Sequence, residues 1–460
     1  MIELRNVTVR KGASILYSDL NWKIEKGQHW LITGPNGSGK TTMLELLAGQ
    51  IPISKGEMHI DFISGGTWDQ RYAERKSKIH FIPANAGQSL LGYDREQYYQ
   101  QRYYGIGDER TPLVRDVLMD NVTEVSALKL PESFAIDQLL PLEITRLSNG
   151  QLKKVLLLKV LLSGTPSILL LDYPFEGLDE TSRKDLCSFL DDSVAHFGMQ
   201  IILVDHHHQL PTVINKKLTL DQFRVIAESD YLHSLNGEHP RQVVAPTQRG
   251  TQPVVEIRNM TIQYGDKVVL KDFNWLVRKG EKWALIGRNG AGKTTLFSMI
   301  FADHPLAYTQ EIYLFGRRRG SGESIWDIKR RISYLGPEQG SYLSSYYMNM
   351  SARHYLKLMN KSGKDSLFEK ISLMFNMHTL LDKHMRILSS GERQLVMSVS
   401  CFLHDTEMLL LDEPFQFLDT DQRSNLSRLL RSALQGDKTL ILITHDQSDL
   451  LEWTDHTMHI

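Results

Sequence analysis

The chain has 460 residues, with 53 Lys and Arg against 54 Asp and Glu, a formal net charge of −1, and 41% apolar side chains. This composition supports packed globular domains and excludes a whole-protein field that could hold nucleic acid or an anionic membrane without specific contacts, while leaving local basic patches open. Its two cysteines, Cys187 and Cys401, lie far apart and outside any C-x-x-C pair, which excludes a disulfide framework and a cysteine zinc site and suits a reducing cytosol.

The opening MIELRNVTVR has no cationic n-region followed by an apolar h-region, so it reads as an alternating strand and not as a signal peptide. A Lys-Gly turn and a short apolar strand over 29–33 lead into Gly34-Pro-Asn36-Gly37-Ser-Gly39-Lys40-Thr41-Thr42. This run fits G-x-x-x-x-G-K-[ST] between a strand and a helix. The glycines let backbone N–H groups curl around a phosphate on the positive end of the helix, Lys40 would neutralise β/γ oxygens, and Thr41 would ligate Mg²⁺. A Gly-rich turn that binds nothing is the bland alternative, and its recurrence in a second copy removes it.

Further on, Leu147-Ser148-Asn149-Gly150-Gln151 precedes an amphipathic stretch and on its own is no more than an N-cap. The most apolar region, 155–171, is broken by Lys159 and by the run 163–167, so it cannot cross a bilayer, and any membrane role requires a partner chain. The apolar run 168–171 ends in Asp172-Tyr173-Pro174, and the run 201–204 is followed by His206-His207-His208. Consecutive histidines do not converge on one ion, so His207 and His208 are expected to be solvated.

A polar stretch over 235–252, rich in turn formers, then separates two copies of one unit. Asn6 aligns with Asn259, and the offset of 253 holds without a gap to Leu44 and Phe297, with sixteen of those thirty-nine positions identical. The second phosphate loop is Gly287-Arg-Asn289-Gly290-Ala-Gly292-Lys293-Thr294-Thr295, and Lys293 and Thr294 inherit the roles of Lys40 and Thr41. Leu388-Ser389-Ser390-Gly391-Glu392 repeats the Ser-Gly element. The run 408–411 ends in Asp412-Glu413-Pro414, and His445 follows the run 440–443. Asp412 would join Thr294 on magnesium, as Asp172 would join Thr41, and Glu413 could polarise the attacking water. Tyr173 stands where Glu413 stands, but a phenol cannot take up a proton near pH 7. His206 and His445 each fall just past a strand end, within reach of a γ-phosphate. Four-residue apolar runs alternating with amphipathic helices predict an α/β fold of parallel sheets covered on both faces, in two domains at 1–234 and 253–460.

Phosphate loop, Ser-Gly element, acidic strand and histidine, in that order and once per half, resemble the ATP-binding cassette ATPases over nearly the whole chain. Within them, LFGRRRGSGESIWDIK at 314–329 resembles the ModF (PhrA-like) tandem cassette proteins, which are named for an association with molybdate transport. The resemblance implies two P-loop domains, each with an antiparallel β part and a helical subdomain, paired head to tail within one chain, with no homodimer required. It implies two composite ATP sites: Lys293, Thr294, Asp412, Glu413 and His445 with Ser148 and Gly150, and Lys40, Thr41, Asp172, Tyr173 and His206 with Ser389 and Gly391. Tyr264 holds the position where cassettes stack adenine, whereas Lys11 stands there in the first half. The Tyr173 site is therefore expected to hold ATP and the Glu413 site to hydrolyse it.

Cassettes usually place a metal-sensing Gln after the strand at 79–82 or 332–335, but here Ala84 and Pro337 occupy that register, with Gln88 and Gln339 nearby. Tyrosines 93, 98, 99, 103, 104, 342, 346 and 347 either form a docking surface or fill a small helical subdomain.

The leading expectation is a cytoplasmic, magnesium-dependent ATPase, peripheral on the inner face of the plasma membrane, that energises a separate transmembrane permease for molybdate or another oxyanion. The alternative is a soluble, non-transport tandem cassette acting on ribosome or DNA, and a scaffold that cycles without a transported substrate is a third. Arg317, Arg318 and Arg319 are expected to form a solvated basic turn, so no strong nucleic-acid signal stands out.

Overall fold

The computed structural model describes residues 1–11, 14–64, 66–84, 112–119, 134, 136–144, 147, 149–164, 166–206, 209–231, 251–264, 267–287, 291–336, 345–360, 365–403, 405–416, 418–434, 436–444 and 447–460. The chain divides into two compact units, Met1–Gly237 and Glu238–Ile460.

In the first unit, β1 (Ile2–Lys11), β2 (Ser14–Ile24) and β4 (Ile53–Ile60) form an antiparallel sheet in the order β2-β1-β4. A second sheet runs β5-β6-β7-β3-β8-β9, with β3 (Trp30–Thr33), β5 (Ile79–Ile82), β6 (Ile168–Asp172), β7 (Gln200–Val204), β8 (Lys216–Asp221) and β9 (Arg224–Asp230). Its strands are parallel except for the β8–β9 hairpin. Strands β6 and β7 are buried at every residue, as a parallel sheet covered on both faces requires.

The second unit repeats the plan. One sheet runs β11-β10-β13-β14, from β10 (Pro253–Tyr264), β11 (Lys267–Arg278), β13 (Glu311–Leu314) and β14 (Arg317–Arg318). The other is fully parallel and runs β15-β16-β17-β12-β18, from β12 (Lys282–Ile286), β15 (Ile332–Leu335), β16 (Met408–Asp412), β17 (Thr439–Ile443) and β18 (His456–His459).

Register confirms the duplication. Ile2 pairs with Ile60, and Val255, 253 positions after Ile2, pairs with Leu314, 254 positions after Ile60, so the repeat relates the same strand positions in space with a one-residue shift by the third strand. Asn6, Asp19, Asn259 and Asp272 all have positive φ, at bulges where the side-chain oxygens of Asn21 and Asn274 accept the N–H of Asn6 and Asn259. In each unit two apolar clusters lie on opposite faces of the parallel sheet. Leu169 and Leu171 point into one and Ile168 and Leu170 into the other, a separation that follows from the two-residue period of a strand.

Among the described residues no helix is long and apolar enough to cross a membrane. The tyrosines at 93, 98, 99, 103, 104 and 342, along with Gln88, Pro337, Gln339, His207, His208 and the linker residues 235–250, lie outside the described residues, as does the side chain of Tyr346. Tyr347 packs edge-on to Tyr355 against the core beside the second-unit sheet, so this tyrosine fills the subdomain.

One expectation about the surface is overturned. Arg319 is not solvated: only 3% of it is exposed, and its guanidinium pairs with the Glu323 carboxylate at 2.8 Å and lies 4.9 Å over the Tyr308 ring. Residue alternation explains this, because Arg319 donates its N–H to Ile312 and so falls on the core face of the sheet.

Candidate nucleotide sites

Helix α1 (Lys40–Ala48) starts from Gly39 at φ 101, and α2 (Lys293–Ile300) starts from Gly292 at φ 97. A left-handed glycine at the N-cap turns the chain tightly and offers no side chain to the first-turn N–H groups, which are therefore left for an anion. Gly34 is forced by crowding as well as by its φ of 143. A Cβ there would lie 2.0 Å from the Leu220 carbonyl oxygen, and one on Gly287 would lie 2.5 Å from the Ile460 carbonyl oxygen. Gly37, at φ 79, has open space around it. Lys40 Nζ donates to the carbonyls of Gly34 and Pro35 at 2.8 and 2.7 Å, and Lys293 Nζ donates to Gly287 at 2.6 Å. Both lysines are buried and bridge their own loops.

Each loop also meets the acidic strand end. Thr41 Oγ1 donates to Asp172 Oδ2 at 3.0 Å, and Thr294 Oγ1 donates to Asp412 Oδ2 at 3.0 Å. A hydroxyl beside a carboxylate is an oxygen-only pair of the kind Mg²⁺ takes from protein while phosphates and water complete its shell, so these residues fit that ion. No cluster of three or more His, Cys, Asp or Glu that could hold a metal occurs among the described residues. Burial pushes the Asp172 carboxyl up to about 6, while the Thr41 hydroxyl and the Lys40 charge pull the other way. A divalent cation there would favour the ionised form.

The residue after each aspartate has the same unusual backbone. Tyr173 sits at φ 47 and Glu413 at φ 49, and their N–H groups donate to Val204 and Ile443 at 2.9 and 2.8 Å. The shared backbone sends the two Cα–Cβ bonds the same way, one carrying a phenol and the other a carboxylate. The Tyr173 hydroxyl lies 3.0 Å from His206 Nε2. Asn289, Gly290, Ser148 and His445 lie outside the described residues, and of Lys11 and Tyr264 only the backbone is described, at the ends of β1 and β10. Asn36, Thr42 and Thr295 belong to the loops or the first helical turns, as the motif requires.

In the Ser-Gly elements, Ser389 caps α3 (Ser390–Phe402): its hydroxyl accepts the Glu392 N–H, and the Glu392 carboxylate accepts the Ser389 N–H. The capped hydroxyl still has its proton to donate. Gly391 is buried in the first turn. Gly150 is buried at the equivalent point of Asn149–Ser163, where a Cβ would approach that of Ser182 to 2.9 Å. Its missing side chain therefore serves helix packing within its own unit.

Three site-supporting residues escape the sequence reading. Tyr17 donates its hydroxyl to the Gly39 carbonyl at 2.9 Å and meets Phe223 edge-on, and the Phe223 N–H bonds the Ser38 carbonyl. Phe223 stands at the tip of the β8–β9 hairpin, which braces the first loop; no strand motif points to that. The third is Lys153, whose Nζ donates to the carbonyls of Pro174 and Glu176 at 2.7 Å each, tying the helix after the Ser-Gly element to the loop after Asp172. Gln394, at the matching place in the second unit, reaches the Glu413 carbonyl at 3.2 Å. Only a comparison of the two halves around 153 and 394 could have singled it out.

The ABC transporter family pattern matches residues 17–176 and 270–416, both phosphate loops and both acidic strand ends included. The chain belongs to the ABC transporter family. It is an ATPase built from tandem cassettes. It is 28% identical to the ABC transporter ATP-binding protein ModF of Escherichia coli (strain K12), over 93% of this chain and 90% of that protein. Identity is 26% to an uncharacterised ABC transporter ATP-binding protein of Schizosaccharomyces pombe, over 100% and 97%. Among solved structures, the archaeal ribosome recycling factor aABCE1, in complex with the stalk protein aP1, matches with a TM-score of 0.61 at 20% identity, over 99% of this chain and 87% of that chain. The RNase-L Inhibitor matches with 0.59 at 19% over the same shares. These likenesses establish the cassette fold.

Proposed function

We propose that the two cassettes, at 1–234 and 253–460 with a linker at 235–252, bind two ATP molecules and hydrolyse chiefly one, energising a separate permease at the cytoplasmic face of a membrane. The observation that carries the asymmetry is the shared backbone of Tyr173 and Glu413 beside the equivalent pairs Thr41–Asp172 and Thr294–Asp412. In each cassette the loop N–H groups and Lys40 or Lys293 hold the β- and γ-phosphates. Thr41 and Asp172, or Thr294 and Asp412, would hold magnesium, which when bound would supply charge neutralisation.

Glu413 is the one side chain of the pair able to take up a proton from, and so polarise, the attacking water, and His445 lies downstream to contact the γ-phosphate. Tyr173 cannot accept a proton at neutral pH, and with His206 it completes a site that retains ATP. Tyr264 is the adenine platform of the second cassette. The Ser-Gly elements, Ser148 with Gly150 and Ser389 with Gly391, are the proposed partners of a γ-phosphate, whose capture turns binding energy into motion.

The permease reading is supported by the name of the Escherichia coli relative, an ABC transporter ATP-binding protein, and an oxyanion such as molybdate is the cargo that the resemblance of 314–329 suggests. Affinity capture of the tagged full-length protein from native membranes tests it. A multi-span protein that co-purifies and stimulates ATP turnover is the expected result; if none appears and turnover ignores the membrane fraction, the transport reading falls.

A further inference from the structure

Glu413 is held in a backbone conformation that a residue with a side chain rarely adopts, with φ at 49. Such a backbone persists only where bonds from the surrounding structure fix it. The peptide before Glu413 is fixed by the sheet, through its N–H on the Ile443 carbonyl at 2.8 Å. The peptide after it is fixed from a helix. Gln394 Nε2 donates to the Glu413 carbonyl at 3.2 Å, alongside the Gln416 N–H at the same distance, and Ser398 Oγ donates to the Pro414 carbonyl at 3.4 Å.

Gln394 and Ser398 stand four residues apart in α3, so one face of that helix grips two consecutive carbonyls. The start of the helix is itself anchored. Ser389 and Glu392 close a capping box, and Lys383 pairs with the Glu392 carboxylate at 2.7 Å. The Gln394 amide therefore reaches the Glu413 peptide from a fixed base.

The first unit is built differently at this point. Ser389 follows Ser148 by 241 positions, and the same offset sets Gln394 against Lys153 and Ser398 against Leu157. Lys153 Nζ grips the carbonyls of Pro174 and Glu176, one and three residues past Tyr173, and Leu157 is a core residue without a donor. The amide bond to the carbonyl of the residue after the aspartate thus accompanies the carboxylate of Glu413, and a longer cation that grips further along accompanies the phenol of Tyr173.

We propose that Gln394 is a positioning residue for ATP hydrolysis in the second cassette, its amide holding the Glu413 peptide so that the carboxylate meets the attacking water. The proposal rests on the reading of Glu413 as the group that polarises that water. The amide is spent on the carbonyl, so Gln394 acts through Glu413 and not on the nucleotide. Turning the peptide carries the Cα–Cβ bond of Glu413 with it, and a misplacement of about 1 Å at a reacting group costs up to about 10²-fold in rate. Donation is the property required, which an apolar side chain or an ionised carboxylate cannot supply.

Steady-state phosphate release from the full chain tests it. In Gln394→Leu, kcat should fall about tenfold while KM for ATP stays within about twofold. Gln394→Glu, which keeps the size, should lose as much at about pH 8 and regain rate relative to the wild type as the pH falls toward about 5, where the carboxyl gains a proton to donate. In the Glu413→Gln background, Gln394→Leu should cost no further rate, because both changes act through one group. Should Gln394→Leu fail to fold, the pH course of Gln394→Glu carries the test alone. Unchanged kcat in Gln394→Leu, a Gln394→Glu deficit that stays constant with pH, or a Gln394→Leu loss that multiplies with that of Glu413→Gln would each overturn the proposal. Full turnover in Glu413→Gln alone would instead overturn the reading of Glu413 on which it rests.

Discussion

The Tyr173 hydroxyl and His206 Nε2 lie 3.0 Å apart, with the two rings tilted at 48°, so the residue that replaces the second cassette's carboxylate is bonded to the histidine downstream of its own strand. Glu413 has the same φ and the same backbone bond to the neighbouring strand, and therefore the same aim. Two side chains of unlike chemistry on one backbone geometry are the basis of the proposed inequality of the cassettes.

Turnover follows from this. Glu413→Gln should lower the ATPase rate about 10²- to 10⁴-fold, the range a positioned base supplies, whereas Tyr173→Phe should leave it within about twofold. In the Glu413→Gln background, Tyr173→Glu should restore part of the lost rate, because the backbone already aims that side chain. Steady-state phosphate release decides the matter; a collapse in Tyr173→Phe with survival of Glu413→Gln would reverse the assignment.

The phosphate loops carry a steric prediction. Gly34→Ala drives a methyl to 2.0 Å from the Leu220 carbonyl, backbone that cannot step aside, while Gly37→Ala meets nothing within 4 Å and bears only the strain of its φ. Thermal unfolding should show Gly37→Ala costing about 1 kcal/mol and Gly34→Ala several-fold more, with ATP protection lost in the latter. Equal losses would mean that conformation, not crowding, selects glycine at 34.

Tyr17→Phe removes one hydroxyl and nothing else. The Gly39 carbonyl then keeps the Met43 N–H but loses the Tyr17 hydroxyl, at a cost of about 1 kcal/mol, and the first loop loses a brace that the second unit, with Leu270 at the matching position, never had. The expected readout is a lower unfolding temperature of the first unit and weaker ATP retention there, with the Glu413-dependent rate preserved.

Lys153 supplies a pH dependence. Burial pulls its ammonium from 10.5 down to about 8, against the opposing pull of Glu176 and Asp205. Below pH 8 both folded and unfolded chains carry the proton, and the cost of holding the charge is fully present. Between about 8 and 10.5 the unfolded chain binds more protons, so stability rises with pH. The side chain retains some solvent contact, so the gain over Lys153→Gln across that window is of order 1 kcal/mol. Denaturant unfolding at pH 8 and pH 10 measures it, and parallel changes in the two proteins would assign the slope to other groups.

Much of this was legible in one dimension. Gly34 to Thr42 and Gly287 to Thr295 announce their loops because a phosphate cradle needs backbone N–H groups, and only glycine at fixed spacing lets the chain curl that way. Asp172 and Asp412 are legible because each ends an apolar strand downstream of a phosphate loop, in the same order in both halves. Local chemistry and the 253 offset were enough for the fold and for an ATPase of tandem cassettes.

Tertiary structure decided what depends on residues far apart in sequence. Arg319 looked like a third member of a solvated basic turn until strand pairing with β13 turned it onto the core face against Tyr308 and Glu323. Tyr17 and Phe223 are 206 positions apart, yet both brace the first loop, and Lys153 acts only through two carbonyls of another segment. Spacing along a chain fixes which groups share a strand or a helical turn; which distant carbonyl a buried ammonium reaches, or which face of a sheet an arginine must take, is fixed by packing alone.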